Sequence, residues 1–497
     1  MTFNSPLFLF VFLPVFLLVY FLSGKRLRNA WLLAASLVFY LWGEPLYLPV
    51  ILLSVLFNYF WGLWIEQSLE KAPRATLAVH PRSTGVQRAR TLVTFAIFAN
   101  IALLFIFKFA VTYWQPVFGF LNDRLGILLP SVLRVYFPRL IAFPLGMSFF
   151  TFAVVSYVID VYKQRAAAER SLLRFALYIL MFPKIIAGPI VRYRDVIQQL
   201  RERVFSADGM AEGARRFIGG LAKKVLVADT LGLVVDRGVF SFSPSNLPAG
   251  VAWLVILCYA LQIYFDFSCY TDMAIGLGQM LGFKFMENFN YPYSSRSITE
   301  FWRRWHISLS SWFRDYLFYP LERRGSTPQA FNILFVFLMT GLWHGLTLNF
   351  AAWGLLHGLA IALERGRFGG WLRSSLAPVQ HLYTLLVLLV GWVFFRSASL
   401  SYAWGFLKAL AGLSNASGVL PYSVMPPIQP SIWLALALAV LISMPVVPAF
   451  QRAMEKYSWW TALPARIVRD IGSIALLVLS LVVLASSTFQ PYIYGKF

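Results

Sequence analysis

The chain reads as long apolar runs separated by short charged or turn-forming pieces. Runs with few or no charges occupy residues 6–22, 30–43, 45–65, 91–107, 140–159, 249–265, 329–363, 381–395, 429–449 and 470–490. A bilayer core ~30 Å thick takes about 20 mostly apolar residues as one helix. Several runs match that length, and 329–363 suits a pair of helices turning near Thr347-Leu348-Asn349. With partial segments at 171–191, 216–235 and 399–413, the pattern predicts an all-α polytopic membrane protein of about 11 spans. Residues 1–165 read as a regular bundle. Between 170 and 365 charged, aromatic and Gly/Pro-rich pieces interrupt the spans, and after 366 plain spans return around a Ser/Pro/Gly-rich loop near 412–430. Polar or irregular backbone at membrane depth is tolerated only where protein or water covers it. Re-entrant and interfacial helices around a central tunnel are therefore expected within 170–365. No linker marks a second domain, so residues 1–497 read as a single integral-membrane domain with a core at about 140–365.

Composition agrees. Hydrophobic residues make up 59% of the chain and charged residues 13%, against roughly 45–50% and 25% in soluble domains. The polar residues are too few to coat a globule of this length. The first run has no positive residue before it and no small-x-small site after it, so it reads as a span and not as a cleaved signal. Lys25, Arg26 and Arg28 follow it, and Lys71, Arg74, Arg82, Arg88 and Arg90 fill the loop 66–90. The positive-inside rule then places the N-terminus outside, these loops in the cytoplasm and the sparser loop 114–137 outside. The net charge of +22 is read as cytoplasmic loops meeting anionic lipid, not as a nucleic-acid surface. Cys258 and Cys269 lack CxxC spacing, which excludes a disulfide framework or zinc site from this reading.

There are five histidines. His80 belongs to a basic loop and His381 to the start of a span. His344 ends an apolar run in Gly341-Leu342-Trp343-His344-Gly345. An ionisable side chain inside a membrane segment marks a functional site by default, and an imidazole suits a general base. The flanking glycines admit a substrate or a second backbone; a neutral histidine bonding between helices is the plainer reading. His306 lies on an aromatic face with Trp302, Trp305, Leu309, Trp312 and Phe313 if residues 301–315 form one helix. That pattern alone describes an interfacial helix with an incidental histidine equally well. His357, between small residues in an apolar helix, reads as tunnel lining or helix packing.

Asp266 and Asp272 need partners, and Arg303 and Arg304 are the expected ones. Their spacing of six puts them on different faces of one helix, so a break near Ser268-Cys269 is expected. Lys184, Arg192 and Arg194 flank Gly188-Pro189, where two prolines in a short apolar piece predict a broken or re-entrant helix. These cations either receive phosphates of a cytoplasmic donor such as coenzyme A or serve as ordinary cytoplasmic anchors. No Walker loop, dinucleotide fingerprint, HExxH or GxSxG elbow occurs, which argues against an ATP-driven pump, a zinc protease and a serine hydrolase. What remains is histidine chemistry on a hydroxyl group, with His344 taking the proton while polar neighbours stabilise the oxyanion.

The stretches Gln262–Ser268, Tyr270–Gly278, Met286-Glu287-Asn288-Phe289, Ser297–Ser310, Gly341–Gly345, Pro144–Phe150 and Ala187-Gly188-Pro189 resemble the membrane-bound O-acyltransferase family, and most closely its alginate O-acetyltransferase branch. The likeness covers most of the chain and is weakest after residue 400. It implies a multi-helix fold pierced by a tunnel, His344 at the family's invariant histidine and His306 at its second active-site position. Asp266, Asp272, Arg303, Arg304, Trp343, His357 and Lys184 are then candidates for lining or supporting the site, with no metal. It also implies acetyl-CoA or another acyl thioester as donor with no permanently bound cofactor, a polysaccharide acceptor, a periplasmic or membrane-tethered partner of the SGNH hydrolase type, and a bacterial inner membrane. Two departures concern the substrates. Cys269 stands where the branch has glycine, and Leu321–Ser326 replaces a glycine-rich basic loop. Phe318–Leu321 is also similar to the D-alanyl transfer branch. The rival classes are an acyl-donor transporter and a scaffold without chemistry.

Overall fold

The computed structural model describes residues 1–70, 84–125, 143–236, 240, 243–414, 430–457 and 463–486. His80, most of the loop 66–90, the part of loop 114–137 beyond 125 and most of the loop near 412–430 lie outside them. Every regular element among the described residues is helical. The chain divides into two compact units, one of residues 1–211 with 277–286, the other of residues 212–276 with 287–496.

The first unit opens with a π-turn at Phe8–Phe12 running into α1 (Leu13–Leu22), then α2 (Arg28–Gly43), α3 (Leu48–Glu70), α4 (Thr84–Leu125), α5 (Met147–Tyr162), α6 (Leu172–Leu180), α7 (Phe182–Ile185) and α8 (Tyr193–Arg201). Phe182 is ringed by Phe8, Phe12, Phe16 and Phe39 at centroid distances of 5.0–6.3 Å, a tilted aromatic cluster of the kind that packs cores densely. Between α3 and α4 the amides of Asn58 and Asn100 exchange hydrogen bonds at 3.0 and 2.9 Å, which satisfies two buried polar groups that hydrocarbon would leave bare. The broken helix expected near Gly188-Pro189 is present. α6 stops before Met181, α7 is a single turn, and a Cβ on Gly188 would fall 2.6 Å from the Cα of Lys184.

In the second unit α9 (Ala207–Ala222) continues through a π-turn at Lys223–Ala228 into α10 (Asp229–Asp236). There follow α11 (Ala249–Met280), α12 (Ile298–Arg304), α13 (Ile307–Phe313), α14 (Tyr319–Glu322), α15 (Gln329–His344), α16 (Leu348–Arg365), α17 (Arg367–Ser374), α18 (Ala377–Arg396), α19 (Leu400–Leu410), α20 (Pro430–Ser443), α21 (Val446–Met454) and α22 (Leu463–Ser486). α11 does not break at Ser268-Cys269, contrary to the sequence expectation. Its two aspartates are neutralised where they stand, so the helix needs no interruption.

Among the described residues five stretches are long and apolar enough to cross a membrane, at Pro45–Glu70, Thr84–Trp114, Ala249–Met280, Ala377–Arg396 and Pro464–Ser486; α20 with α21, bent by 60°, makes a sixth if the pair is one span. The protein is thus a multi-pass membrane protein. The apolar runs at 6–22, 140–159 and the first half of 329–363 fold as shorter apolar helices. The spans differ in surroundings. The one at Thr84–Trp114 is 22% buried and turns Phe98, Phe105 and Ile106 outward, whereas α11 is 72% buried.

Candidate active site

α15 and α16 form a hairpin closed by glycine. A Cβ on Gly341 would fall 2.1 Å from the carbonyl oxygen of Phe350, and one on Gly354 would fall 2.3 Å from that of Phe337. Only a hydrogen in place of each side chain lets the two backbones touch. On Gly345 a Cβ would meet the Phe350 ring at 2.4 Å. The glycines flanking His344 therefore seat a second backbone and a ring. His344, the last residue of α15, is buried among Trp343, Phe395, Trp353 and Phe350, with ring centroids at 4.4, 4.9, 5.2 and 6.2 Å.

His306 also neighbours Trp343, whose ring lies 6.4 Å from its own. The single helix expected over 301–315 breaks here. α12 ends at Arg304, His306 adopts the left-handed conformation at φ 43°, and α13 starts at the next residue. The physical reason is Asn288. Its carbonyl oxygen accepts from Ile307 N–H at 2.9 Å and its side-chain oxygen from Ser308 N–H at 3.1 Å. These are the first donors of the new helix, which a continuous helix would have bonded internally. Asn290 N–H in turn donates to Arg304 O at 2.9 Å, so residues 288–290 strap both sides of the bend. The start of α12 is fixed by the buried carboxylate of Glu364, which accepts from Ile298 and Thr299 N–H at 2.6 and 2.8 Å, and by the Ser297 hydroxyl, which caps Glu300 N–H. The face expected to lie at an interface is instead packed inside, as Trp302, Trp305, Leu309 and Trp312 are all buried. His306 sits between two seven-residue helices outside the candidate spans. Its Nδ1 lies 3.1 Å from Asn288 Oδ1, the Phe267 ring stands edge-on at 4.6 Å, and burial pulls its pKa down to about 3, so it is neutral at pH 7.

His357 completes the set one helix over. Trp302 donates its indole N–H to His357 Nδ1 at 3.3 Å, and Trp353 touches both His357 and His344, at 5.0 and 5.2 Å. A Cβ on Gly391 would come within 2.8 Å of His357 Nε2. Trp343 and Trp353 thus join the three histidines in one aromatic row. Beside the row, a cavity of about 560 Å³ runs between α12–α13 and the hairpin. Arg303, Arg314, Arg365 and Gln329 line it together with Ile333, Phe337, Trp302 and Thr340, the last one turn before His344. It joins a cationic rim to an apolar interior.

The comparisons with known proteins give the chain a family. The profile of MBOAT, the membrane-bound O-acyltransferase family, matches residues 92–401. The chain belongs to the membrane-bound O-acyltransferase family. It is 43% identical over 413 residues to "Probable alginate O-acetylase AlgI" of Pseudomonas aeruginosa, covering 82% of this chain and 75% of that protein. It is 36% identical to the Pseudomonas fluorescens protein of the same name over the full length of both. It is 33% identical to "Peptidoglycan O-acetyltransferase" of Helicobacter pylori, over 84% of this chain and 80% of that one. The chain is an O-acyltransferase.

The other residues singled out in this acyltransferase fall into two groups. Trp343 and Arg303 stand at the histidine row and the cavity. Arg304 lies back along α12, paired with Glu300 at 2.7 Å. The aspartates do not meet Arg303 or Arg304. Asp266 pairs with Lys224 at 2.6 Å, and Asp272 with Lys223 and Arg216, each at 2.9 Å. Two consecutive lysines on the π-turn diverge around the helix and so reach two aspartates on different faces of α11. Lys184 belongs to the first unit, buried with its ammonium 4.8 Å above the Tyr178 ring. His381 is held outside the row, its Nδ1 3.1 Å from Ser295 O. Sequence reasoning gave no role to Asn288, which it met only within the Met286–Phe289 stretch, and none to Glu364. Each acts on backbone groups far along the chain, and no periodicity signals that. Cys258 and Cys269 are free thiols, both buried.

Proposed function

We propose that this O-acyltransferase moves acetyl groups from a cytoplasmic thioester donor across a bacterial inner membrane for O-acetylation of a cell-surface or exported polysaccharide such as alginate. The observation that carries the reading is the pair of buried imidazoles, His344 and His306, that share Trp343 as a ring neighbour at 4.4 and 6.4 Å. In the proposed step His344 takes the proton of the acceptor hydroxyl as its oxygen attacks the thioester carbonyl. The C–S bond then breaks, and the departing thiolate receives that proton. His306, a neighbour of the same Trp343, assists. The arginine-rimmed cavity suits the anionic end of a donor such as acetyl-CoA, with Arg303, Arg314 and Arg365 meeting phosphate and the apolar interior taking the thin acyl-bearing arm. The final acceptor is reached through a periplasmic or membrane-tethered partner of the SGNH type. The arrangement in the bilayer is that of about 11 spans with the N-terminus in the periplasm, one acyltransferase domain over the whole chain and its core at about 140–365. Support for the acceptor class comes from the relatives named for alginate and peptidoglycan acetylation.

The test is polymer-bound acetyl ester in cells producing wild type, His344→Ala or His306→Ala at matched membrane abundance. Loss of ester with His344→Ala is expected. Full acetylation by that variant sinks the mechanism and moves a transporter or scaffold to the front.

A further inference from the structure

The three contacts at Asn288 Oδ1 decide a question about His306 that its position alone leaves open. Ser308 N–H reaches that atom at 3.1 Å, and the Ser308 hydroxyl reaches it at 2.9 Å. A backbone N–H can only donate, so the atom it meets is the amide oxygen and not the amide nitrogen. The assignment of the Asn288 side chain therefore follows from a neighbour whose role is fixed, which removes the usual amide-flip ambiguity. His306 Nδ1 stands 3.1 Å from the same oxygen. Two bare lone pairs at that distance would repel, so Nδ1 carries the ring proton. In the neutral ring only one nitrogen does so, and Nε2 carries the lone pair and acts as the acceptor.

We propose that Asn288 is a positioning residue that locks His306 in the Nδ1–H tautomer, so that His306 assists acyl transfer through Nε2 as an acceptor of the reacting hydroxyl's proton or hydrogen bond and not as a donor to the oxyanion. This rests on the reading of His306 as a participant in the reaction. The strap makes the lock rigid. The backbone carbonyl of Asn288 holds Ile307 N–H and its side chain holds Ser308 N–H, so ring and amide oxygen belong to one bonded unit spanning the left-handed turn. The low dielectric of the site strengthens the bond. The Phe267 and Trp343 rings beside His306 do not titrate, and the Ser308 hydroxyl, 3.5 Å from Nδ1, is itself bonded to Asn288 Oδ1 and so accepts from Nδ1–H if it bonds there. The Asn288 Nδ2 group is buried and has no hydrogen-bond partner among the described residues. The amide is thus committed at its oxygen.

The experiment uses the full-length protein in detergent micelles with ¹⁵N-labelled histidine. With five histidines in the chain, the His306 signals are assigned by their loss in His306→Ala. Wild type is expected to show a protonated Nδ1 and an unprotonated Nε2 at His306. Asn288→Ala should mix the tautomers and lower polymer-bound acetyl ester by about tenfold or more, part of the roughly 10²–10⁴-fold that a positioned proton acceptor contributes. Asn288→Asp keeps the acceptor and should retain the tautomer and most of the activity. A protonated Nε2 in wild type overturns the proposal, as does wild-type acetylation by Asn288→Ala when His306→Ala has lost it. If His306→Ala itself acetylates fully, the participation of His306 falls and the assisting role with it, while the tautomer spectrum reports the lock separately. Should Asn288→Ala fail to fold, Asn288→Asp decides alone: loss of the Nδ1–H signal with the acceptor retained overturns the lock.

Discussion

Two corners of the second unit hold a fully buried histidine, and they use it in opposite ways. At the α12–α13 bend, Nδ1 of His306 faces an oxygen; in the middle of α16, Nδ1 of His357 faces the indole N–H of Trp302. An indole can only donate, so His357 bears its proton on Nε2. That nitrogen looks onto Gly391, where there is no room even for a methyl group. His306 sits on a left-handed residue held by a strap, a conformation that costs a non-glycine residue about 1 kcal/mol or more. His357 sits on ordinary helix. The same side chain at the same depth presents its Nδ1 to an acceptor in one corner and to a donor in the other. Burial alone does not separate them; the kind of atom at Nδ1 does.

The comparison breaks first at His344, the ring that both corners share through tryptophan. His344→Ala is expected to lower acetyl ester by about 10²–10⁴-fold, the range for losing a general base, with membrane abundance unchanged on an immunoblot. Activity in the mutant near wild type would make all three histidines packing pieces. Gly341→Ala comes next. Its new methyl group overlaps the Phe350 carbonyl, so the hairpin must part, and folded protein recovered by gel filtration should fall several-fold. His357→Ala should spare chemistry and reduce stability, by about 2 kcal/mol as a cavity forms between Trp302 and Trp353. A thermal melt should drop by several degrees while acetylation per folded molecule stays within about threefold. A tenfold loss of specific activity would move His357 to the working side. The smallest effect belongs to Glu300→Gln, which removes an i,i+4 pair with Arg304 and should cost about 0.3–0.5 kcal/mol, near the limit of the same melt.

Much of this was legible in the residues. Apolar runs showed the helical membrane architecture, and His306, His344 and His357 stood out as scarce ionisable groups in apolar surroundings; the fold brings them into one row. What stayed hidden depends on distance along the chain. The aromatic period of 3.6 runs straight through Trp305 and His306, so nothing local announces the break. The cause is Asn288, 18 positions away from His306. Buried aspartates in α11 demanded cations, but the sequence holds many, and Arg303 and Arg304 were the nearer choice. Lys224 is 42 positions from Asp266, and the π-turn that aims it leaves no mark on hydropathy. The broken helix at 181–189 was legible because proline and glycine act where they stand.

The lysine pair also bears on how the chain enters the bilayer. An aspartate placed alone at the centre of a spanning helix costs about 2.5–3.5 kcal/mol at insertion, and α11 carries two. Their countercharges lie upstream, so Lys223 and Lys224 have already left the ribosome when Asp266 and Asp272 emerge. The segment 207–236 and α11 can then leave the translocon together with both aspartates of α11 already paired, and a truncation that removes the first should strand the second at the membrane surface.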